Sequence, residues 1–137
     1  MNKKGFTLVE IMIVVAIIAL LAAIAIPNLM KAKVASQEAL AKNTARNIAM
    51  AAETFASAND SDYPTATTDL TDGDNPYLSV DYCAEGATFN TYSFTCTWNA
   101  DGTGYSIVAT PADGSQATKT YTFTTGGKLE EGVVVAG

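Results

Sequence analysis

The dominant feature of the hydropathy pattern is an unbroken apolar run near the start of the chain. Every residue from Ile11 to Ile26 is Ile, Met, Val, Ala or Leu, and the run counts 21 residues when it is taken from Phe6. A helix rises about 1.5 Å per residue, so this stretch would span roughly 31 Å, close to the hydrocarbon thickness of a bilayer. A domain of this size has no core that could surround such a helix, so the pattern predicts a membrane helix.

After Pro27 the pattern changes to an amphipathic one. Proline removes a backbone donor, so a kink or local unwinding is expected near Ala23. From residue 28 to about residue 59 the apolar positions recur at helical spacings, which predicts the second half of one long helix. These positions are Val34, Ala41, Ala45, Ile48, Ala52 and Phe55. The many alanines in this half either let neighbouring backbones approach closely or simply raise helix propensity.

The helix is predicted to end in the turn-forming cluster from Asn59 to Pro64. Residues 65–76 are interpreted as an irregular connection, and short β segments are expected at Tyr77 to Val80.

From Thr91 onward the period becomes two, which is typical of half-buried strands. The alternation predicts strands from Thr91 to Asn99, from Tyr105 to Thr110 and from Thr118 to Thr124, with glycine-containing turns between them. Val133 to Val135 is expected to add a short edge strand. The shared apolar face consists of Tyr92, Phe94, Trp98, Tyr121 and Phe123.

This apolar sheet face needs a cover, and the helix stripe that ends at Ile48 and Phe55 is the suitable surface. Burying a large side chain there contributes on the order of 2–3 kcal/mol. The predicted fold is therefore α+β, with a long helix packed on a small antiparallel meander.

Charge divides the 137 residues unevenly. Residues 1–59 carry six basic and three acidic groups, a net of +3, whereas residues 60–137 carry two basic and eleven acidic groups, a net of −9. Lys3 and Lys4 precede the apolar run, which favours a cytoplasmic N-terminus and an acidic head on the other side of the membrane. An acidic head argues against nucleic acid as a partner.

Few residues suit catalysis. The chain contains no histidine, which excludes Ser-His-Asp triads, Cys-His dyads and histidine metal sites, and it has no nucleotide-binding loop or paired-carboxylate motif. We therefore expect neither enzymatic activity nor a cofactor.

The two cysteines, Cys83 and Cys96, favour a disulfide in an exported head. The bond would close a loop of about 14 residues and contribute roughly 3 kcal/mol in the chain-entropy model. Free thiols are the alternative.

Asp69, Asp72 and Asp74 are weak candidates for a calcium loop, because hard cations prefer oxygen ligands. Their spacing does not match the EF-hand pattern. A solvated acidic turn is the favoured interpretation, and no metal is predicted.

The first thirty residues carry a specific resemblance. A basic leader, Met1-Asn-Lys-Lys-Gly5, is followed by Phe6-Thr-Leu-Val-Glu10, the apolar run, Pro27 and Asn28. This arrangement resembles the class III leader of type IV pilins and pseudopilins. The resemblance implies that a prepilin peptidase cuts between Gly5 and Phe6 and methylates the new amine of Phe6. It divides the chain into a removed leader (1–5), a transmembrane and filament-core helix (6–27), an amphipathic half (28–59) and a globular head (60–137).

The resemblance also gives Glu10 a role. A lone carboxylate in an apolar run needs a partner, and the family assigns it to the N-terminal Phe6 amine of a neighbouring subunit during assembly. Pro27 is likewise expected to belong to the assembly helix. The alternative is a hydrated or protonated carboxylate without a partner.

The function that the resemblance implies is a major pilin, polymerised with itself into a type IV pilus. The expected partners are membrane lipid before assembly, the prepilin peptidase and an assembly platform in the bacterial inner membrane, and the finished filament is extracellular. A periplasmic pseudopilin of the type II secretion kind and a membrane-tethered binding module are the alternatives.

Overall fold

The computed structural model describes residues 1, 5–114 and 117–134. Its contacts divide the chain into two compact units, residues 1–34 and residues 35–137. The expectations placed on Lys3, Lys4 and Val135 lie outside the described residues.

Helix α1 runs from Leu8 to Ala58, 51 residues, and confirms the prediction of one long helix. Its helical assignment continues through Pro27, so α1 does not unwind near Ala23, and the alternative of a kink there stays a prediction. Proline removes a single donor, and the Asn28 side chain adds a bond of its own by donating from Nδ2 to the carbonyl oxygen of Ile24 at 3.1 Å.

In the first unit, α1 is exposed on all its sides. From Ile11 to Ile26 each residue except the half-buried Ala22 is exposed to solvent. By length and composition α1 contains a stretch able to cross a membrane, and that stretch is not buried against any described part of the chain.

The helix ends where the turn-forming cluster predicted. Asp60 and Ser61 both adopt left-handed conformations, with φ of 54° and 75°. The Asn59 side chain donates to the carbonyl oxygen of Phe55 at 2.8 Å, which satisfies one of the acceptors left free at a helix end.

The connection differs from its prediction in two places. It contains a short helix α2, Thr68–Thr71, which the sequence analysis did not anticipate. No strand forms at Tyr77 to Val80. That expectation was wrong because the segment lies against other elements: Leu78 N–H donates to the carbonyl oxygen of Leu70 at 2.9 Å, and Tyr77 packs edge-on against Phe55 at 5.7 Å.

Four strands form one antiparallel sheet in the order β1-β2-β3-β4: β1 Tyr92–Trp98, β2 Tyr105–Pro111, β3 Lys119–Thr124 and β4 Lys128–Val133. The first three match the predicted strands closely. The predicted edge strand was placed too late, since β4 begins at Lys128. Gly126 and Gly127, with φ of 81° and 66°, reverse the chain directly after β3.

The core lies between α1 and one face of the sheet. The sheet contributes Tyr92, Phe94, Tyr105, Ile107, Ala109, Tyr121 and Phe123, and the helix contributes Ala41, Ala45, Ile48, Ala49, Ala52 and Ala56. Trp98 and Phe55, both expected in this core, are half-buried. Six of the seven buried residues of α1 are alanines, whereas the sheet contributes mainly large aromatic side chains to the core.

Candidate functional site at the N-terminus

The segment from Gly5 to Glu10, here called the assembly segment, forms a closed hydrogen-bonded turn at the start of α1. Glu10 Oε2 accepts from the Thr7 backbone N–H at 2.7 Å and from the Thr7 hydroxyl at 2.8 Å. The Glu10 backbone N–H donates back to Thr7 Oγ1 at 3.2 Å. Thr7 directly precedes the first helical residue, Leu8, so the pair is a capping box.

This capping role of Glu10 was missing from the sequence analysis. The signal was present, because Thr7-Leu-Val-Glu10 has the spacing of a Ser/Thr residue and a Glu three positions later. The role explains how a carboxylate is tolerated at the edge of an apolar run. It sits at the N-terminal end of a helix, where backbone donors and the helix dipole both favour a negative charge.

The second carboxylate oxygen of Glu10 is available. Both bonds from Thr7 end on Oε2, and none of the hydrogen bonds found among the described residues ends on Oε1. The side chain is exposed. Glu10 can therefore cap its own helix and still accept a hydrogen bond from another group.

The predicted cleavage position lies in accessible backbone. Gly5 and Phe6 precede the first residue of α1, and the Phe6 residue is 85% exposed. A side-chain carbon added at Gly5 would have no atom within 4 Å. The peptide bond between Gly5 and Phe6 is therefore non-helical, and both of its residues are exposed.

The other predicted site residues lie apart from the assembly segment in the chain. Pro27 is exposed within α1. Cys83 and Cys96 form the predicted disulfide, with their Cα atoms 5.6 Å apart.

The candidate calcium residues form no metal-binding group in the described part of the chain, where no three Asp, Glu or Cys side chains are suitably close. Asp69 has a different role, because its Oδ2 accepts from the backbone N–H groups of Thr65 and Ala66 at 2.8 and 3.1 Å. It thereby organises the turn that leads into α2.

A cluster of hydrogen bonds around Glu53, here called the node, was not predicted from the sequence. Glu53 of α1 accepts from the hydroxyl groups of Tyr63 at 2.9 Å and Tyr105 at 2.8 Å, and from the Gly126 backbone N–H at 2.7 Å. Burial and the bond to Glu53 raise the pKa of both tyrosines. Since the three partners lie 10, 52 and 73 positions away from Glu53 in the sequence, no local sequence pattern predicts the node.

Two ion pairs join α1 to strands β3 and β4 of the sheet. Lys42 of α1 pairs with Glu131 of β4, and Lys119 of β3 lies 3.8 Å from Glu38 of α1. The bond from Lys42 lowers the pKa of Glu131. The charged side chains of Glu38 and Lys42 on α1 are thus both paired with charged side chains of the sheet.

Comparison with known proteins points to the same N-terminal segment. Residues 1–26 match the family model described as the prokaryotic N-terminal methylation motif. The chain is 49% identical over 59 residues to the type IV major pilin protein PilA of Myxococcus xanthus, which covers 43% of this chain and 27% of that protein. It is 66% identical over 32 residues to the type IV wide pilus major component PilA4 of Thermus thermophilus, covering 23% of this chain and 24% of that protein.

These similarities span about a quarter of the length of either relative. No solved structure matches the chain. The chain carries a prokaryotic N-terminal methylation motif and a pilin-like α+β arrangement, and in its N-terminal part it is similar to type IV major pilins.

Proposed function

We propose that this chain is the major pilin of a type IV pilus, a subunit that polymerises with copies of itself. The observation that carries the proposal is the methylation motif at the N-terminal end of α1, a helix whose apolar run is exposed on all sides. Outside a bilayer such a surface must be covered, and other copies of the same helix are a ready cover. Both relatives are named as major components of pili. Type IV pilins are structural subunits, so this function needs no catalytic residue.

Before assembly, the apolar run would lie in membrane lipid with the head outside the cytoplasm. A prepilin peptidase would remove residues 1–5 and methylate the amine of Phe6. The exposed, non-helical backbone at Gly5 and Phe6 suits such processing. An assembly platform in the inner membrane would then add the subunit to an extracellular filament.

Glu10 would guide docking through its available oxygen. The capping box holds Oε2 on Thr7, and Oε1 would accept from the Phe6 amine of a neighbouring copy. Opposite charges attract strongly where water is excluded, because the local dielectric is low. The cap and the intermolecular pair are compatible in this arrangement.

A set of variants separates the charge of Glu10 from its cap. Glu10→Gln keeps a side chain that serves in a capping box but removes the charge, whereas Thr7→Val removes the capping hydroxyl and keeps the charge. We expect Glu10→Gln and Glu10→Ala to insert into membranes and yield no sheared filaments. Thr7→Val should still assemble, since a lost cap costs only about 0.5–2 kcal/mol.

Filament yield is measured by shearing and membrane insertion by fractionation, and mass spectrometry should show a filament subunit that starts at methylated Phe6. Normal filaments from Glu10→Gln would contradict the pairing. A chain that starts at Met1 and stays in the membrane would contradict the pilin function and favour a tethered binding module. Short periplasmic fibres would indicate a pseudopilin.

A further inference from the structure

Two lysines follow the apolar run at a short distance, Lys31 and Lys33, here called the neck lysines. Both are exposed, and both belong to the first unit, residues 1–34, together with the run. They lie five and seven positions after Ile26 on the same continuous helix, α1. Because a helix rises about 1.5 Å per residue, their Cα atoms lie about 7.5 and 10.5 Å beyond the end of the run. The neck lysines therefore stand just outside the stretch that is predicted to cross the hydrocarbon.

Neither neck lysine has a charged partner in the described part of the chain. The two ion pairs found there use Lys42 and Lys119. No hydrogen bond from either neck ammonium group is found among the same residues. The charge of Lys42 is thus already engaged within the chain, whereas the charges of the neck lysines are available to another molecule.

The distance from the run matches the depth of a lipid headgroup layer. The hydrocarbon core of a bilayer is about 30 Å thick, and the headgroup regions add roughly 5–7.5 Å on each side. The Cα–Cβ bonds of a helix tilt toward its N-terminus, which is the membrane side for the neck lysines. A lysine stem can also lie along apolar surface while its ammonium group stays in a polar layer. Both ammonium groups can therefore reach the lipid phosphates.

The position of the neck lysines in the sequence gives them further weight. They are as many as the lysines of the leader, Lys3 and Lys4. A segment that is sent across the membrane normally carries few lysines close to it, so the neck lysines are unusual in the proposed orientation. In the proposed function the leader is removed together with Lys3 and Lys4. The neck lysines are then the basic side chains closest to the apolar run.

The arrangement of the neck lysines around the helix indicates which anion they bind. Positions 31 and 33 are about 200° apart on a helix of 3.6 residues per turn, so the two ammonium groups cannot converge on one ligand. A headgroup layer surrounds the helix and offers phosphates on every side. The other source of anions is the connection in the head of a second copy, which has seven acidic and no basic residues between positions 60 and 85. A single neighbouring head would reach only one of the two lysines.

We propose that the neck lysines bind the phosphate groups of anionic phospholipids in the leaflet on the head side of the membrane. Each lysine near a negatively charged membrane surface strengthens the attachment, so the pair holds the processed subunit in the bilayer before assembly. The inference rests on the proposed pilin function for the orientation of the helix and the loss of the leader. It adds the chemical class of the lipid and the residues that bind it.

The first test measures the lipid selectivity of the full-length chain in vesicles. Spin-labelled phosphatidylglycerol and spin-labelled phosphatidylcholine report which lipid contacts the helix. Lys31→Gln combined with Lys33→Gln should lower the preference for phosphatidylglycerol about fivefold, the factor expected for one lysine at an anionic surface. Arg46→Gln combined with Lys128→Gln is the matched control, because it removes the same charge from exposed residues of the head unit and should keep the wild-type preference. A wild-type preference in the neck variant overturns the proposal.

A second test identifies the bound molecule in the membrane of the host. A photoreactive lysine analogue that keeps the ammonium group, placed at position 33, should give a chain that carries the added mass of an anionic phospholipid. The same analogue at position 128 should not. Cross-links that reach only residues 60–85 of another copy overturn the proposal and assign the neck lysines to a neighbouring head. Shearing of filaments from the wild-type cells tests the pilin function separately: a lipid adduct without filaments would support the lipid contact and contradict the pilin function.

Discussion

Helix α1 contains two stretches that differ in hydrophobicity and have the opposite burial from the one their composition suggests. From Ile11 to Ile26 all residues are apolar, yet Ile18 is 59% exposed and Leu20 is 69% exposed. Between Ala41 and Ala56 the composition is more polar, yet seven residues are buried and Ile48 is 0% exposed. The more apolar stretch is the less buried one.

The difference shows that an apolar run specifies the environment that it needs, and that the described part of the chain supplies this environment to the second stretch and not to the first. The sheet covers the second stretch with aromatic side chains. In the proposed function, lipid or other copies of the chain cover the first stretch. This division is what a subunit requires if it is stored in a membrane and then transferred to a filament.

The largest expected effect comes from truncating one isoleucine in each stretch. Ile48→Ala should lower the free energy of unfolding of the head by about 2–5 kcal/mol, through lost burial and the cavity left behind. Ile18→Ala should change it by less than about 0.5 kcal/mol. Denaturant titration of the full chain in detergent, followed by the fluorescence of the half-buried Trp98, measures both. Equal effects would mean that the two stretches share one environment.

A smaller effect is expected from the node that closes the buried stretch near its C-terminal end. Glu53→Gln replaces one acceptor oxygen by a donor, although three donors converge on this carboxylate. We expect a loss of about 1–3 kcal/mol in the free energy of unfolding. Glu130→Gln, at an exposed carboxylate of β4, is the matched control and should fall within about 0.5 kcal/mol of the wild type. A Glu53→Gln chain as stable as this control would show that the node is not stabilising.

Local patterns predicted much of this fold. The period-two alternation located β1, β2 and β3 because their inward residues are mostly buried by one helix face, and the apolar run with its leader located the N-terminal helix. The edge strand was misplaced because Lys128 to Gly132 is polar and β4 is mostly exposed, so burial leaves little trace in its sequence.

The candidate site likewise contains features that the sequence could predict and features that it could not. The capping box of Thr7 and Glu10 involves residues three positions apart and could have been identified from the sequence. The node at Glu53 could not, since its partners are brought together only by the fold. Short β segments were predicted at Tyr77 to Val80, but there the Leu78 backbone N–H donates to Leu70 of α2 rather than to a neighbouring strand.

The smallest expected effect is a dependence on alkaline pH that belongs to the buried stretch. Tyr92 is 0% exposed and its hydroxyl donates to the Lys119 carbonyl oxygen at 2.8 Å. Burial, reinforced by the charge of Glu38, raises the pKa of Tyr92 to about 12, whereas an unfolded tyrosine titrates near pH 10. Between about pH 10 and 12 the folded chain retains a proton that the unfolded chain releases, so the stability present below pH 10 decreases as the pH rises, by at most about 1.4 kcal/mol per pH unit for one tyrosine. Tyr92→Phe should make this slope shallower in denaturant titrations at successive pH values, even though the lost hydrogen bond lowers stability at every pH. An unchanged slope would show that Tyr92 does not titrate with folding and that the alkaline dependence has another source.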